Sequence, residues 1–258
     1  MVRLASTGVI LMMVSLRTWT VRVAASVCAL ALSVSAAEWT GWTYYRLDQD
    51  VPEDPDVAAR VTPYRAELKE IMERPLTTST AVMPMEKPES ALGNLMADIL
   101  RHEANTAFEE EVHIALMNGR GLRITLPEGT IRVRTIYELM PFENHIAVLQ
   151  FTGTQLAALA DEIARYGGEP ISGMHFVFHN GQARDIEVNG QPLDLERHYW
   201  LATNNWMANG GGELPTLWSP RNRVDLPVLI RDAFIEHLDG LTRLEPRLDG
   251  RIREEPLP

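Results

Sequence analysis

Residues 112–123 read VHIALMNGRGLR, and this stretch sets the organisation of the chain. Val112–Met117 is a short, largely apolar run, which predicts a buried strand. The run ends at Asn118, and the glycines that follow permit a left-handed backbone and leave N–H groups open to a ligand. We therefore expect a buried strand that ends in a polar loop, Asn118–Arg123, suited to a phosphate or a carboxylate.

Helices and strands are predicted on both sides of this strand. Apolar spacing predicts helices over Ala58–Arg74, Leu92–Phe108 (with Ser90 as its N-cap), Thr154–Tyr166 and Val228–Leu238. Apolar runs predict strands over Ile146–Phe151, Met174–Phe178, Ile186–Val188 and Tyr199–Thr203, and a short closing strand over Gly250–Arg253. Because these elements mix without strict alternation, the sequence predicts an α+β (mixed α/β) fold. We expect one domain, with a mixed sheet flanked by helices and preceded by a long helix.

The first 37 residues have the composition of a cleaved signal peptide. They contain three arginines and no acidic residue, and residues 23–37 form a small, apolar stretch that ends at Ala36-Ala37. This predicts a periplasmic or secreted protein, with an uncleaved anchor as the alternative. Residues 38–56 form an acidic, aromatic leader. The single cysteine, Cys28, lies inside the apolar stretch and gives no disulfide framework.

Composition and missing motifs exclude several classes of protein. The net charge of −11 argues against a nucleic-acid partner, because phosphate binding needs an excess of Lys and Arg. No apolar run reaches the length of a membrane span, so no stable membrane anchor is expected. The sequence lacks a Walker A loop, a G-x-S-x-G elbow and an H-E-x-x-H pair. His175 and His179 fall in a predicted strand, where about 13 Å would separate them. No metal ligand or catalytic residue is therefore predicted.

Three loops carry residues that a core does not need. They are Asn118–Arg123, with two arginines; Pro141–Asn144, with Phe142; and Asn204–Glu213, where Trp206 precedes three glycines. Two exposed aromatic rings on separate loops could clamp a flat ring between them. The plainer alternatives are a tight turn, a phenylalanine in the core and a flexible loop with a buried tryptophan.

Seven segments taken in order resemble a known family. They are Glu89–Asp98 (ESALGNLMAD), Asn118–Arg123 (NGRGLR), Pro141–Asn144 (PFEN), Phe151–Leu156 (FTGTQL), Ser172–Phe176 (SGMHF), Ala202–Gly211 (ATNNWMANGG) and Asp249–Arg253 (DGRIR). Together they resemble the C-terminal, substrate-specificity domain of the 5′-nucleotidase / UDP-sugar hydrolase / cyclic phosphodiesterase family. The resemblance implies an interdomain-type helix and the strand that leads into the domain over 57–80, and the domain itself over 81–258.

This resemblance implies a nucleotide or nucleoside-like small molecule as the ligand. It implies that Phe142 and Trp206 sandwich the base and that Asn118 and Arg123 contact the ligand. The predicted ligand-binding residues are Asn118, Arg120, Arg123, Phe142, Asn205, Trp206, Asn209, Gly210 and Gly211. Three positions depart from the family pattern: Gly212 stands where an aspartate is usual, Arg120 where the middle glycine of N-G-G-G is usual, and Pro88 where a basic residue is often found.

The family's hydrolytic chemistry belongs to a separate metallophosphatase domain with D-x-H and G-N-H-[DE] motifs, and neither occurs among the 258 residues. We therefore expect no cofactor in this chain, and divalent metals only if it pairs with a metallophosphatase chain. Three functions stay open. The chain could be an exported binding module, the substrate-binding half of a split 5′-nucleotidase that catabolises nucleotides, or a scaffold that no longer binds a ligand.

Overall fold

Helix α1 (Pro55–Met72) is the first element that the computed structural model describes, within residues 52–255. The predicted signal peptide and residues 38–51 of the leader lie outside the described residues. The elements that follow are β1 (Pro75–Ser79), α2 (Ala91–Ala107), β2 (Val112–Leu116), β3 (Gly129–Arg132), α3 (Val133–Leu139), β4 (His145–Thr152), α4 (Gly153–Arg165), β5 (Ile171–Ser172), β6 (Met174–His179), β7 (Gln182–Val188), β8 (Gln191–Pro192), β9 (His198–Asn204), α5 (Asn205–Ala208), β10 (Asn222–Leu229), α6 (Ile230–Asp239), β11 (Arg243–Leu244) and β12 (Ile252–Glu254). Two 3₁₀ turns, Gly119–Gly121 and Pro215–Trp218, complete the set.

The strands form three sheets, and the largest positions the site. Its five strands lie in the order β10-β4-β9-β2-β5. Strand β4 is antiparallel to both β10 and β9, β9 is parallel to β2, and β2 is antiparallel to β5. The smaller sheets have the orders β11-β1-β3 and β12-β6-β7-β8. The mixed sheet and flanking helices confirm the predicted fold class, and the described residues from Asp56 onward form one compact unit.

The central sheet is buried on both faces. Successive side chains of a strand point to opposite faces, so each central strand contributes to two apolar clusters. In β4, Ile146 and Val148 pack into one apolar cluster, and Ala147 and Leu149 pack into the other. Helices α2, α3 and α6 cover the first face, and helix α4 covers the second. Burial on both faces explains why these strands read as continuous apolar runs rather than as alternating patterns.

Strand directions gather four chain segments at one edge of this sheet. Parallel strands β2 and β9 both end there. Strand β4 runs in the opposite direction and therefore begins there, with Ile146 opposite Asn204. Strand β10 ends at the same edge, with Leu229 opposite His145. This edge consequently holds the loops after β2 and β9, the loop before β4 and the first turn of α6.

Most of the predicted elements are confirmed to within a few residues. Ser90 caps α2 as expected, since its Oγ accepts a 2.9 Å hydrogen bond from the Gly93 N–H. The predicted helix over Val228–Leu238 begins too early, because Val228 and Leu229 belong to β10. The closing strand begins at Ile252 rather than at Gly250, whose φ of +74° does not suit a strand.

Helix α1 differs from the other long helices because every one of its residues is at least partly exposed. Its apolar stripe of Val61, Tyr64, Leu68 and Ile71 faces solvent. Among residues 52–255, no helix has both the length and the apolar character needed to cross a bilayer.

Candidate ligand-binding site

Asn118 and Asn204 occupy the centre of the sheet edge where the four segments meet. Asn118 follows strand β2, and Asn204 is the last residue of strand β9, which runs parallel to β2. The Asn204 Nδ2 donates a 2.8 Å hydrogen bond to the Asn118 Oδ1. The Asn204 Oδ1 also accepts a 2.8 Å bond from the Met207 N–H, which caps the short helix α5. These bonds tie the loop that carries Arg120 and Arg123 to the loop that carries Trp206.

The glycines of the first loop act differently from the expectation. Gly119–Gly121 forms a 3₁₀ turn in which the Gly121 N–H donates to the Asn118 carbonyl at 2.9 Å, and neither glycine has a positive φ. Their small size matters instead, because a Cβ on Gly121 would lie 2.8 Å from Asn118 Nδ2. Close packing thus fixes the Asn118 side chain in the middle of the site.

We call the larger cavity at this edge the Trp206 pocket. It encloses about 260 Å³, and Trp206, Asn118 and Arg120 all line it. The Trp206 side chain is 48% exposed, so a buried tryptophan is excluded here. Gly211 packs against the indole so closely that a Cβ there would lie 2.3 Å from Cδ2. Gly211 therefore leaves room for the indole, about half of which stays exposed at the pocket.

Charges of both signs line the Trp206 pocket. Lys87 and Arg120 are its cations, and Glu169 and Glu213 are its carboxylates. Burial raises the pKa of Glu169, although its Oε2 accepts a 2.6 Å bond from the Gly119 N–H and Lys87 Nζ lies 3.8 Å from its Oε1. A hydrogen bond with Glu213 raises the pKa of the Tyr166 phenol. This pocket can therefore offer donors to an anionic group and acceptors to hydroxyl or amino groups.

The second cavity, which we call the Phe142 notch, is narrower. It encloses about 20 Å³ and is lined by Asn118, Gly121, Phe142, Asn144, Asn204 and Arg231 together with three apolar residues. The Phe142 side chain is 41% exposed, so it does not fill the core. The Arg123 Cζ lies 5.1 Å from the centre of the Phe142 ring, a cation–π arrangement that steadies the ring. Asn118 lines both cavities, so the two rings flank a shared residue.

Five of the predicted contacts line neither cavity: Arg123, Asn205, Asn209, Gly210 and Gly211. The Asn205 Oδ1 accepts a 3.2 Å bond from the His145 N–H and so links the loops of Phe142 and Trp206. The Asn209 Oδ1 accepts a 2.9 Å bond from Arg223 Nη1 at the side of the site. Gly210 has a φ of +93° and Gly211 donates its N–H to the Trp206 carbonyl at 2.8 Å, so both glycines shape the loop that holds the indole.

Several lining residues were not predicted. They are Lys87, Tyr166, Glu169 and Glu213 in the Trp206 pocket, and Asn144 and Arg231 in the Phe142 notch. Lys87 immediately precedes Pro88, so a basic group stands beside the position where the resemblance implied one. The only signal for Glu213 is that it follows Gly212. Nothing in the sequence marks Arg231, since a charged residue in the first turn of a helix is ordinary.

The lining residues do not suit a two-metal centre. The Trp206 pocket has two carboxylates, no histidine and two cations, and this donor set would not hold a pair of divalent ions. Elsewhere in residues 52–255, the fold brings His102 and His237 together beside Glu103, with ligand atoms within 4.8 Å of one another. The His237 Nδ1 already pairs with Glu103 Oε1 at 3.0 Å. Sequence spacing gave no sign of this group, because His102 and His237 lie on helices α2 and α6.

Comparisons with known proteins identify relatives of this chain. The family profile described as "5′-nucleotidase, C-terminal domain" matches residues 70–218. The chain is 25% identical over 234 residues to the Trifunctional nucleotide phosphoesterase protein YfkN of Bacillus subtilis, covering 82% of this chain and 16% of that protein. It is 31% identical over 108 residues to the protein UshA of Escherichia coli, covering 40% of this chain and 20% of UshA.

A solved structure shows the same relationship. The crystal structure of a 5′-nucleotidase precursor from Thermus thermophilus matches with a TM-score of 0.68 and 29% identity, over 81% of this chain and 45% of that one. The chain thus spans less than half the length of these relatives. Because the family profile covers more than half of the chain, the protein belongs to the 5′-nucleotidase C-terminal domain family.

Proposed function

We propose that this protein is an exported binding module for a nucleotide or nucleoside-like molecule. The observation that carries the proposal is the pair of exposed rings, Phe142 and Trp206, on separate loops beside cavities that share Asn118. Exposed aromatic rings beside a cavity suit stacking on a base, because every base presents a flat π-face. Family membership favours the same ligand class.

The polar groups around the rings extend this proposal. Arg120 and Lys87 would meet the phosphate of a nucleotide, while the carboxylates of Glu169 and Glu213 would accept bonds from sugar hydroxyls. We propose binding without hydrolysis, because the D-x-H and G-N-H-[DE] motifs do not occur among the 258 residues. No catalytic residue is assigned in this chain.

Residues 1–37 would direct export to the periplasm or the medium, with cleavage near Ala36-Ala37. N-terminal sequencing of the exported protein tests this.

Calorimetric titration of the purified protein with AMP, adenosine, GMP and UMP tests the binding proposal. Replacing Trp206 with alanine should weaken binding by about 5- to 150-fold, since stacking contributes about 1–3 kcal/mol per base. Trp218→Ala is a matched control, because Trp218 is 47% exposed and does not line either cavity. Absence of binding by every ligand at millimolar concentration would contradict the proposal and favour the scaffold hypothesis.

A second function is favoured by helix α1. Val61, Tyr64 and Leu68 of its exposed stripe, with Met72, line a shallow and mostly apolar surface that suits a protein contact. The protein would then be the substrate-binding half of a split 5′-nucleotidase, docked through α1 onto a separate metallophosphatase chain. That chain would supply any divalent metal and hydrolyse the phosphoester.

Mixing experiments distinguish this second function from simple binding. A metallophosphatase chain encoded nearby would be purified, supplied with Mn²⁺ and AMP, and assayed for phosphate with and without this protein. The split-enzyme hypothesis requires a rate gain on mixing, and Leu68→Glu should abolish that gain while leaving AMP binding intact. No gain on mixing would exclude the hypothesis for that partner and leave the binding module in place.

A further inference from the structure

The Arg231 side chain is buried without a hydrogen-bond partner in residues 52–255. The residue is 9% exposed, and its Nε is sealed from solvent with no acceptor in reach. The nearest carboxylate oxygen, Asp232 Oδ1, is 4.0 Å from that nitrogen. Buried arginines are normally paired, because an unpaired charge away from water is costly. Asp232 balances the charge at long range but accepts no hydrogen bond from Arg231, so the guanidinium can still donate to an acceptor on a ligand.

Arg231 lines the Phe142 notch together with Phe142, Asn144, Asn118 and Asn204. Of its three side-chain nitrogens only Nε is sealed, so the two terminal nitrogens reach accessible space. They have no acceptor within the described residues. These terminal donors are therefore available to a ligand that enters the notch beside the exposed Phe142 ring.

The fold holds Arg231 firmly in this position. The Ile230 N–H donates a 2.9 Å bond to the Asn144 carbonyl, which ties the first turn of α6 to the loop that carries Phe142. The Arg231 Cζ lies 4.1 Å from the centre of the Tyr137 ring, so an aromatic face supports the guanidinium from the other side. A donor group that is already ordered loses little entropy when an acceptor arrives.

The size of the notch restricts what the acceptor can be. Its space of about 20 Å³ is close to that of a single water molecule, which is too little for a phosphate with its four oxygens. The edge of a flat ring fits such a space. The planar fork of an arginine pairs best with two acceptors on one edge, such as O6 and N7 of guanine, whereas adenine presents an N6–H₂ donor there.

We propose that Arg231 reads the acceptor edge of the base that stacks on Phe142 and so selects 6-oxopurines over adenine. This inference rests on the proposed nucleotide-binding function and adds a base preference to it.

The test compares GMP, IMP and AMP by calorimetric titration of the full chain. We expect GMP and IMP to bind about 5- to 150-fold more tightly than AMP, the discrimination of one bidentate arginine contact. Arg231→Met keeps an unbranched chain over Tyr137 and should bring the three affinities within about twofold of one another. Arg231→Lys, which keeps the charge but not the fork, should retain only part of the preference. Arg243→Met, at an exposed arginine of another sheet, is the control and should leave it unchanged.

The outcomes separate this inference from the proposed function. Equal binding of GMP, IMP and AMP by the unmodified chain would overturn the base preference and leave nucleotide binding intact. A preference that survives in the Arg231→Met protein would also overturn it. Failure of all three nucleotides to bind would overturn both. Because the unmodified chain already gives a decisive ratio, the test does not depend on the variant folding.

Discussion

Gly211→Ala should damage the site through a single methyl group. The added Cβ would lie 2.3 Å from Cδ2 and 2.4 Å from Cε2 of Trp206, where carbon atoms normally keep about 3.5–4.0 Å apart. The indole would have to move by more than about 1 Å, and the cost of such overpacking is about 1–3 kcal/mol. For a domain of this size, that corresponds to a fall in Tm of about 2–12 °C. A displaced indole should also weaken AMP or GMP binding by about 5- to 150-fold.

Gly129→Ala, on β3 in another sheet, is the matched control for this change. Gly129 has a φ of +94° and no heavy atom within 4 Å of the position where a Cβ would lie, so alanine there costs backbone strain of about 1–2 kcal/mol without touching the indole. The two variants should therefore lose similar stability, but only Gly211→Ala should lose affinity. Fluorine NMR of 5-fluorotryptophan protein, with the Trp206 resonance assigned by Trp206→Phe, measures the indole directly. An unchanged resonance and unchanged affinity in Gly211→Ala would refute the reasoning.

Three further predictions concern the framework around the site. Arg251→Met should lower the free energy of unfolding by about 3 kcal/mol, because the buried guanidinium donates hydrogen bonds to both Asp98 and Asp249. Urea titrations measure this loss, and a loss below about 1 kcal/mol would contradict the prediction. Hydrogen bonds from Arg251 lower the pKa of Asp249 to about 2, below its unfolded value near 3.9. The stability that this pair contributes is therefore fully present above pH ~4 and is lost as the pH falls toward about 2. Tm measured across this range should fall less steeply in Asp249→Asn than in the unmodified protein, and equal slopes would count against the pair. Glu162→Gln should lower the free energy of unfolding by about 1–2 kcal/mol, since the buried carboxylate accepts hydrogen bonds from both the N–H and the hydroxyl of Thr216. An unchanged urea midpoint would show that these bonds contribute little.

Local patterns in the sequence were sufficient for most of the fold. Apolar spacing located α2 and α4, because one buried helix face leaves a periodic trace, and apolar runs located β2, β4, β6 and β9, because burial on both faces leaves a continuous one. The same spacing located α1, although its apolar stripe is exposed. Strand β10 left no such trace. It is the outermost strand of its sheet, with a single neighbour, and it carries Asn222, Arg223 and Asp225. Its pairing with β4, rather than its composition, therefore makes it a strand.

The candidate site was predictable only in part, because it depends on contacts between distant segments of the chain. Loops with glycines, arginines and exposed aromatic residues identified Asn118, Arg120, Phe142 and Trp206, because such residues have no place in a core. The spacing of residues along the chain does not reveal which loops meet. The parallel course of β2 and β9 brings Asn118 to Asn204, and the same edge then receives Lys87, Glu169 and Arg231 from distant segments.

The sequence by itself therefore determined the class of fold, the family and the loops that carry unusual side chains, since these follow from short-range periodicity and local motifs. Only the tertiary structure decided which side chains share a cavity, that α1 is left exposed, and that Arg231 is buried without a partner. Burial and pairing of a charge depend on groups far apart in the chain, and strand direction and register alone bring those groups together.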